Sequence, residues 1–145
     1  MVLMKTPFGK PGRVRRGVIG IIVRDDRFLV VRRAAGIARP GCWCFPGGHV
    51  EPGETSRQAV IREMQEELGV VVRPHRRLGS LRIMASRHIL AAWIVEHVSG
   101  AIVPAPAEVA ECRWVTFGEI EHLEPGLPSN RTVMAMLKNR LSIGE

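Results

Sequence analysis

Residues 48–70 read GHVEPGETSRQAVIREMQEELGV, a loop punctuated by glycine and proline that runs into an acid-bearing amphipathic helix. Thr55 and Gln58 stand at the spacing of a capping box, and Gly69 after Leu68 supplies a left-handed stop, so a helix of about three to four turns is expected between them. Val60, Met64 and Leu68 recur at i, i+4 and i+8 and form one apolar stripe to bury. On the other side Glu63, Glu66 and Glu67 fall at i, i+3 and i+4, which gathers their carboxylates on neighbouring turns. Like charges at that spacing cost ~0.2–0.5 kcal/mol per pair, and acids in a last turn oppose the helix dipole by a further ~0.3–1 kcal/mol. A divalent cation reverses the sign of both effects. The plainer alternative is a solvated acidic face. The glycines favour the cation, because Gly47, Gly48 and Gly53 with Pro46 and Pro52 prescribe a tight irregular loop whose backbone can face a ligand. Mg²⁺ suits such a site, since it takes oxygen ligands and shares its shell with substrate phosphates.

The spaced residues Gly48, Glu54, Arg62, Glu63, Met64, Glu66, Glu67, Gly69 and Val70 resemble the Nudix box, GX5EX7REUXEEXGU, at every fixed position. The resemblance implies an α+β Nudix fold, a mixed β-sheet sandwiched between α-helices, and hydrolysis of a nucleoside diphosphate linked to another group. It implies metal on Glu63, Glu66 and Glu67 with the Gly47 carbonyl joining them, and Mg²⁺ as the cofactor with Mn²⁺ as a substitute. Either Glu66 or Glu63 orients or deprotonates the attacking water. Gly48, Glu54, Arg62 and Gly69 take structural roles, Glu54 and Arg62 pairing to hold the loop on the helix.

The chain has 145 residues, the size of one domain, and divides into a flexible lead-in over residues 1–12 and a single domain over 13–145. Apolar residues make up 46% and the mean hydropathy is +0.05, with no run near the roughly 18 residues of a membrane span. The N-terminal MVLMKTPFGKPG lacks the apolar core of a signal peptide, which points to the cytoplasm and away from a membrane. Cys42, Cys44 and Cys112 are odd in number with no C-x-x-C pair, and read as small apolar residues rather than a disulfide framework. Of the net charge of +7, residues 1–48 carry +8, from ten Lys or Arg against two acids. An anionic partner is one explanation, and arginine enrichment from genome composition is another.

Outside the box, residues 17–23 form a continuous apolar run that reads as a strand buried on both faces, turned at Asp25 and Asp26 into a second strand over 28–31. Short strands are expected at 43–45, 70–72 and 78–84, a long one over 88–98, and a last one over 111–116 carrying Trp114. Residues 101–103 are candidates to pair back, and 117–122 a short helical turn. Ser129 is placed as the cap of a final helix with Val133, Leu137 and Leu141 on one stripe.

The resemblance extends over most of residues 17–140, towards the MutT-like nucleoside triphosphate pyrophosphohydrolases. It implies Arg33, in FLVVRRAA, as a phosphate contact, Arg87 beside the base pocket, and Asn130, in LPSNRTV, next to the nucleobase. Asn130 also reads as a helix-start residue and Arg87 as a surface arginine. Glu108, six residues before Trp114, takes the place of an additional metal-binding glutamate, with Glu111 as its rival. His49 stands where that branch often has lysine. The chain has no tyrosine and no proline in 80–90, so the marks of dinucleoside polyphosphate and ADP-ribose hydrolases are missing. The expected reaction is Mg²⁺-dependent conversion of a nucleoside triphosphate to monophosphate and pyrophosphate. The alternatives are an RNA 5′-end pyrophosphohydrolase, to which the basic N-terminal part is suited, a nucleotide-sugar hydrolase, and a non-catalytic nucleotide sensor. Nucleotides are thus the first expected partner and nucleic acid the second.

Overall fold

The computed structural model describes residues 14–83 and 87–144, the side chains of 141–144 excepted. In chain order the elements are β1 (Arg15–Arg24), β2 (Arg27–Arg33), β3 (Trp43–Cys44), β4 (Gly47–His49), α1 (Ser56–Leu68), β5 (Val71–Ile83), β6 (His88–Ser99), β7 (Val109–Val115), α2 (Phe117–Ile120) and α3 (Ser129–Gly144). The main path of the sheet is β3-β2-β1-β6-β5, with β4 on β1 and β7 on β2. β1 runs parallel to β6, and the other pairs are antiparallel.

β1 is the axis because its sequence leaves no polar face. Val18, Ile19, Ile21 and Ile22 are all buried. Val18 and Ile22 pack with Val60, Met64 and Leu68 of α1, while Ile19 and Ile21 pack with Val133 and Leu137 of α3. The sheet therefore lies between helices, as expected, and truncating a fully buried side chain such as Met64 to alanine would cost about 2–5 kcal/mol. β1 also forks. Residues 17–19 pair with β4, whereas Val23 and Arg24 pair with β2, and the chain of the glycine loop is thereby laced onto the central strand.

α1 begins where its capping box predicts, with Thr55 accepting from the Gln58 amide and the Gln58 side chain accepting from the Thr55 amide. It ends at Gly69, at φ 71°, where a side chain would be strained. Four expectations need correction. Residues 70–72 and 78–84 are not two strands but parts of β5, whose pairing with β6 shifts register at Val71/Val72, Pro74/Arg76 and Arg77/Gly79. These bulges interrupt the alternation that marks a strand, and they admit Pro74 because β5 is an edge. Residues 47–49 form β4 rather than loop alone. Residues 101–103 join no sheet; the Val103 and Ala105 amides instead donate to Leu68 O and Glu67 O, each at 2.8 Å, satisfying carbonyls that the end of α1 leaves open. Ser129 is the first residue of α3 rather than its cap, with Leu127 O and Pro128 O accepting from the Asn130 and Arg131 amides. The lead-in at 1–12, Met84 and the Leu141 side chain lie outside the described residues.

Candidate active site

The loop between β4 and α1 is held by Arg62. Its Nε donates to Glu54 Oε2 at 2.8 Å and its Nη2 to Glu54 Oε1 at 3.0 Å, a two-pronged grip, and Nη2 also donates to the His49 carbonyl at 2.8 Å. Nη1 reaches Glu63 at 3.2 Å and Glu66 at 3.1 Å, with Glu51 at 3.7 Å. Hydrogen bonds from Arg62, and then from the Glu51 amide, hold the Glu54 carboxyl down at about 2. The expected pairing of Glu54 with Arg62 is thus present in the structure.

On the adjoining side of α1 the charges are not balanced. One carboxylate oxygen from each of Glu63, Glu67 and Glu108 lies within 4.8 Å of the other two, and Glu63 and Glu67 are buried. Burial first, and then repulsion from Glu63 and Glu108, pushes Glu67 up to about 8, against the Gly47 N–H and Arg33. The Gly47 amide donates to Glu67 Oε1 at 3.1 Å, so the contact of Gly47 seen here is through its N–H. Glu63 is also raised by burial, with Arg62 opposing. A side chain at Gly48 would collide with the Glu63 carboxylate, and only glycine allows the backbone of β4 so close. Three hard oxygen donors, unbalanced and partly desolvated, fit a hard divalent cation.

Glu108 therefore stands with the box acids and Glu111 does not. The physical reason is strand parity with a break in it. Glu111 pairs with Arg32 in register, and a bulge at Arg32/Arg33 follows. Glu111 is engaged by Arg32 at 3.0 Å and Arg113 at 3.2 Å, and both lower its pKa. Glu66 is half-exposed, and the acid cluster does not include it.

The chain matches the model of the NUDIX domain over residues 13–137. It belongs to the NUDIX family. The chain is 31% identical over 125 residues to the NAD-capped RNA hydrolase NudC of Stutzerimonas stutzeri (strain A1501), covering 86% of this chain and 43% of that protein. It is 41% identical over 91 residues to the CTP pyrophosphohydrolase of Escherichia coli (strain K12), covering 59% of this chain and 64% of that one. The chain thus spans less than half the length of the NudC relative. Among solved structures, the MutT NUDIX hydrolase from Burkholderia pseudomallei superposes with a TM-score of 0.74 at 25% identity, covering 86% of this chain and 98% of that one. The chain has the α+β Nudix fold.

The remaining candidates spread around this Nudix site. Arg33, at the end of β2, donates from Nε to Ala38 O at 2.6 Å, and its charge reaches both Glu67 and the Cys44 thiol. Asn130 is further off: its Nδ2 donates to Trp43 O at 2.9 Å, alongside a Leu127 amide on the same carbonyl at 3.1 Å. The amide thus ties the start of α3 to β3. Arg87 sits at φ 57° just before β6, its carbonyl accepting from the Arg15 amide at 3.0 Å. Cys44 is a neighbour of the site that the sequence does not reveal. Its register with Val31 puts it beside Arg33, two residues on along β2. Burial pushes the thiols of Cys44 and Cys112 up to about 11, so both remain protonated and serve as packing. Cys42 lies just before β3 and does not share a strand with Cys44.

Proposed function

We propose that this Nudix hydrolase cleaves a phosphoanhydride bond in nucleotide-capped RNA 5′ ends, with Mg²⁺ as the metal and Mn²⁺ as a substitute, in the cytoplasm. The observation that carries the chemistry is the Glu63–Glu67–Glu108 cluster, with Arg33 at its edge. Glu67 and Glu108, with Gly47 beside them and Glu66 reachable from α1, would hold the metal. Bound there, the metal supplies charge neutralisation on phosphate oxygens and a lower pKa for a bound water. Arg33 contacts phosphate. Glu63, buried within the acid cluster where Glu66 is half-exposed and lies on Arg62, is the better placed of the two to accept the proton of the attacking water. The choice of capped RNA over the free triphosphate rests on the name and 86% coverage of the NudC relative and on the chain's +7 charge.

Free triphosphates are the second reading, with Arg87 and Asn130 at the base. The 41% identity to a CTP pyrophosphohydrolase favours it. Product analysis on NAD-capped RNA, triphosphorylated RNA, NAD, CTP, the dNTPs and a nucleotide sugar decides between them. A higher kcat/KM for capped RNA is expected. Faster release of pyrophosphate from CTP or a dNTP would replace the first reading by the second. Ligand-induced stabilisation with no product in Mg²⁺ or Mn²⁺ would indicate a sensor.

A further inference from the structure

One end of the sheet carries arginines without acids. Residues 14–23 and 71–95, which supply β1 up to Val23, β5 and most of β6, contain seven arginines and neither Asp nor Glu. Register brings the two segments together, since Arg16 pairs with Ile89 on β1–β6, and Ile89 with Arg82 on β6–β5. Arg16 and Arg82 thus flank Ile89 on one face, roughly 10 Å apart at two strand spacings. Arg77 pairs with Trp93 further along β5, and the Trp93 indole N–H donates to Ser56 Oγ at 3.1 Å. The ledge therefore reaches the N-terminus of α1, whose first turn holds no acid and whose dipole adds positive potential. Arg15, Arg16, Arg76 and Arg82 are exposed and have no carboxylate partner among the described residues. Arg73, by contrast, is matched to Glu96 at 2.6 Å.

Protection of an edge strand from aggregation accounts for arginines on β5. It does not account for Arg15 and Arg16, which start a strand with neighbours on both sides. The ledge is continuous with the site, because Arg16 O accepts from the Val50 amide at 2.9 Å, two residues beyond Gly48. Like charges gathered without counter-ions repel, and a polyanion laid across them relieves the repulsion by releasing its own condensed cations.

We propose that this ledge, centred on Arg16 and Arg82, binds the phosphodiester backbone of an RNA whose 5′ end lies in the Nudix site, an inference that rests on the capped-RNA reading. From Arg77 to Arg82, which pair with Trp93 and Ile89 on the same face, the strand extends roughly 17 Å, a span that takes a few consecutive phosphates. Binding is through backbone charge and carries no sequence preference.

The test uses a 5′-hydroxyl RNA oligonucleotide, which has no anhydride to cleave, titrated into the full chain across a salt series. Its probes are the double variant Arg16→Gln/Arg82→Gln and the remote control Arg140→Gln on α3. The double variant should weaken binding roughly tenfold and reduce the log–log salt slope by about 1.4, at about 0.7 per lost contact. It should raise KM for capped RNA at unchanged kcat and leave turnover of NAD and CTP as in the wild type, while Arg140→Gln changes little. Equal losses per charge removed in the two variants would reduce the effect to net charge and overturn the ledge. An unchanged slope in the double variant, with capped RNA still cleaved, would overturn it and spare the substrate reading. Loss of oligonucleotide binding in a protein that cleaves no RNA end would spare the ledge and overturn the substrate reading.

Discussion

Arg62 and Glu67 stand five residues apart on α1, and the acids gathered around them have been driven in opposite directions. Around Arg62 the charge of the nearest carboxylate is countered: Glu54 is gripped by two prongs and held down at about 2. Around Glu67 it is not: Glu63 and Glu108 crowd the same space, and burial and repulsion carry Glu67 up to about 8. The first arrangement is complete within the chain and fixes the loop from β4 to α1. The second is complete only with an outside cation, so the repulsion stored there becomes affinity when one binds. Glu63 touches both, through Arg62 at 3.2 Å and through the cluster, and thereby couples the rigidity of the loop to the geometry of the site.

The largest effect should come from breaking the unbalanced side. Glu67→Gln keeps the volume and removes a charge, so turnover with Mg²⁺ should fall about a hundredfold or more, a loss of several kcal/mol of charge stabilisation. The metal-free fold should become more stable at neutral pH, because folding no longer has to draw a proton onto that carboxyl. Thermal melts with and without Mg²⁺ beside single-substrate kinetics check both, and near wild-type turnover would remove Glu67 from the metal site.

Breaking the balanced side should act mainly on folding. Arg62→Met leaves partly buried Glu54 and Glu63 without their counter-charge, and charge-assisted hydrogen bonds of this kind are worth about 1.5–3 kcal/mol. Denaturant titration at pH 7 should show a loss of that order. A stability unchanged by Arg62→Met would mean that the clamp is ornamental and that the two sides of α1 do not differ as described.

The opposed shifts also predict a pH dependence with two arms. Glu67 has an unfolded value near 4.5 and a folded value of about 8, so between them the folded state holds the extra proton and stability falls as pH rises. Glu54 runs the other way, with 4.5 unfolded and about 2 folded, so its contribution is full above 4.5 and is lost as pH falls through 2. Metal-free melting temperature should therefore decline on both sides of about pH 4.5–5 through these two groups. Glu67→Gln should flatten the upper arm alone, and Mg²⁺ should raise the melting temperature more at pH 8 than at pH 5. A flat upper arm in the metal-free wild type would contradict the raised carboxyl.

How far these features were legible depends on the distance over which they are encoded. α1 could be read residue by residue because its instructions are local: the Thr55–Gln58 box, the Val60, Met64 and Leu68 stripe, and the Gly69 stop all lie within the helix or next to it. The box acids came with it. Glu108 was reachable only through the family resemblance, since its separation from Glu111 depends on a bulge at Arg32/Arg33 that no pattern of apolar residues announces. β5 was split in two for the same reason, its three shifts of register having erased the alternation. Asn130 illustrates the limit. The bond from its amide to Trp43 O spans 87 positions, and a side chain at a helix start gives no local sign of such a partner.

Glu66 is where the boundary between the two sides of α1 is finest, and its substitution should have the smallest effect. The residue matches the box and was expected among the ligands, yet its half-exposed carboxylate lies on Arg62 at 3.1 Å, at i, i+4, and the cluster does not include it. To join a metal it would have to leave Arg62. An exposed pair at that spacing is worth about 0.2–0.5 kcal/mol, and less with arginine on the N-terminal side, so leaving costs little. Glu66→Gln should accordingly shift metal-free stability by no more than about 0.5 kcal/mol. In a Mg²⁺ titration of activity it should raise the half-saturating concentration by less than Glu67→Gln does, because Glu67 is already in place and Glu66 must move. A larger rise for Glu66→Gln than for Glu67→Gln would show that metal draws Glu66 across, so that the balanced and unbalanced sides of α1 are distinct only until the ion arrives.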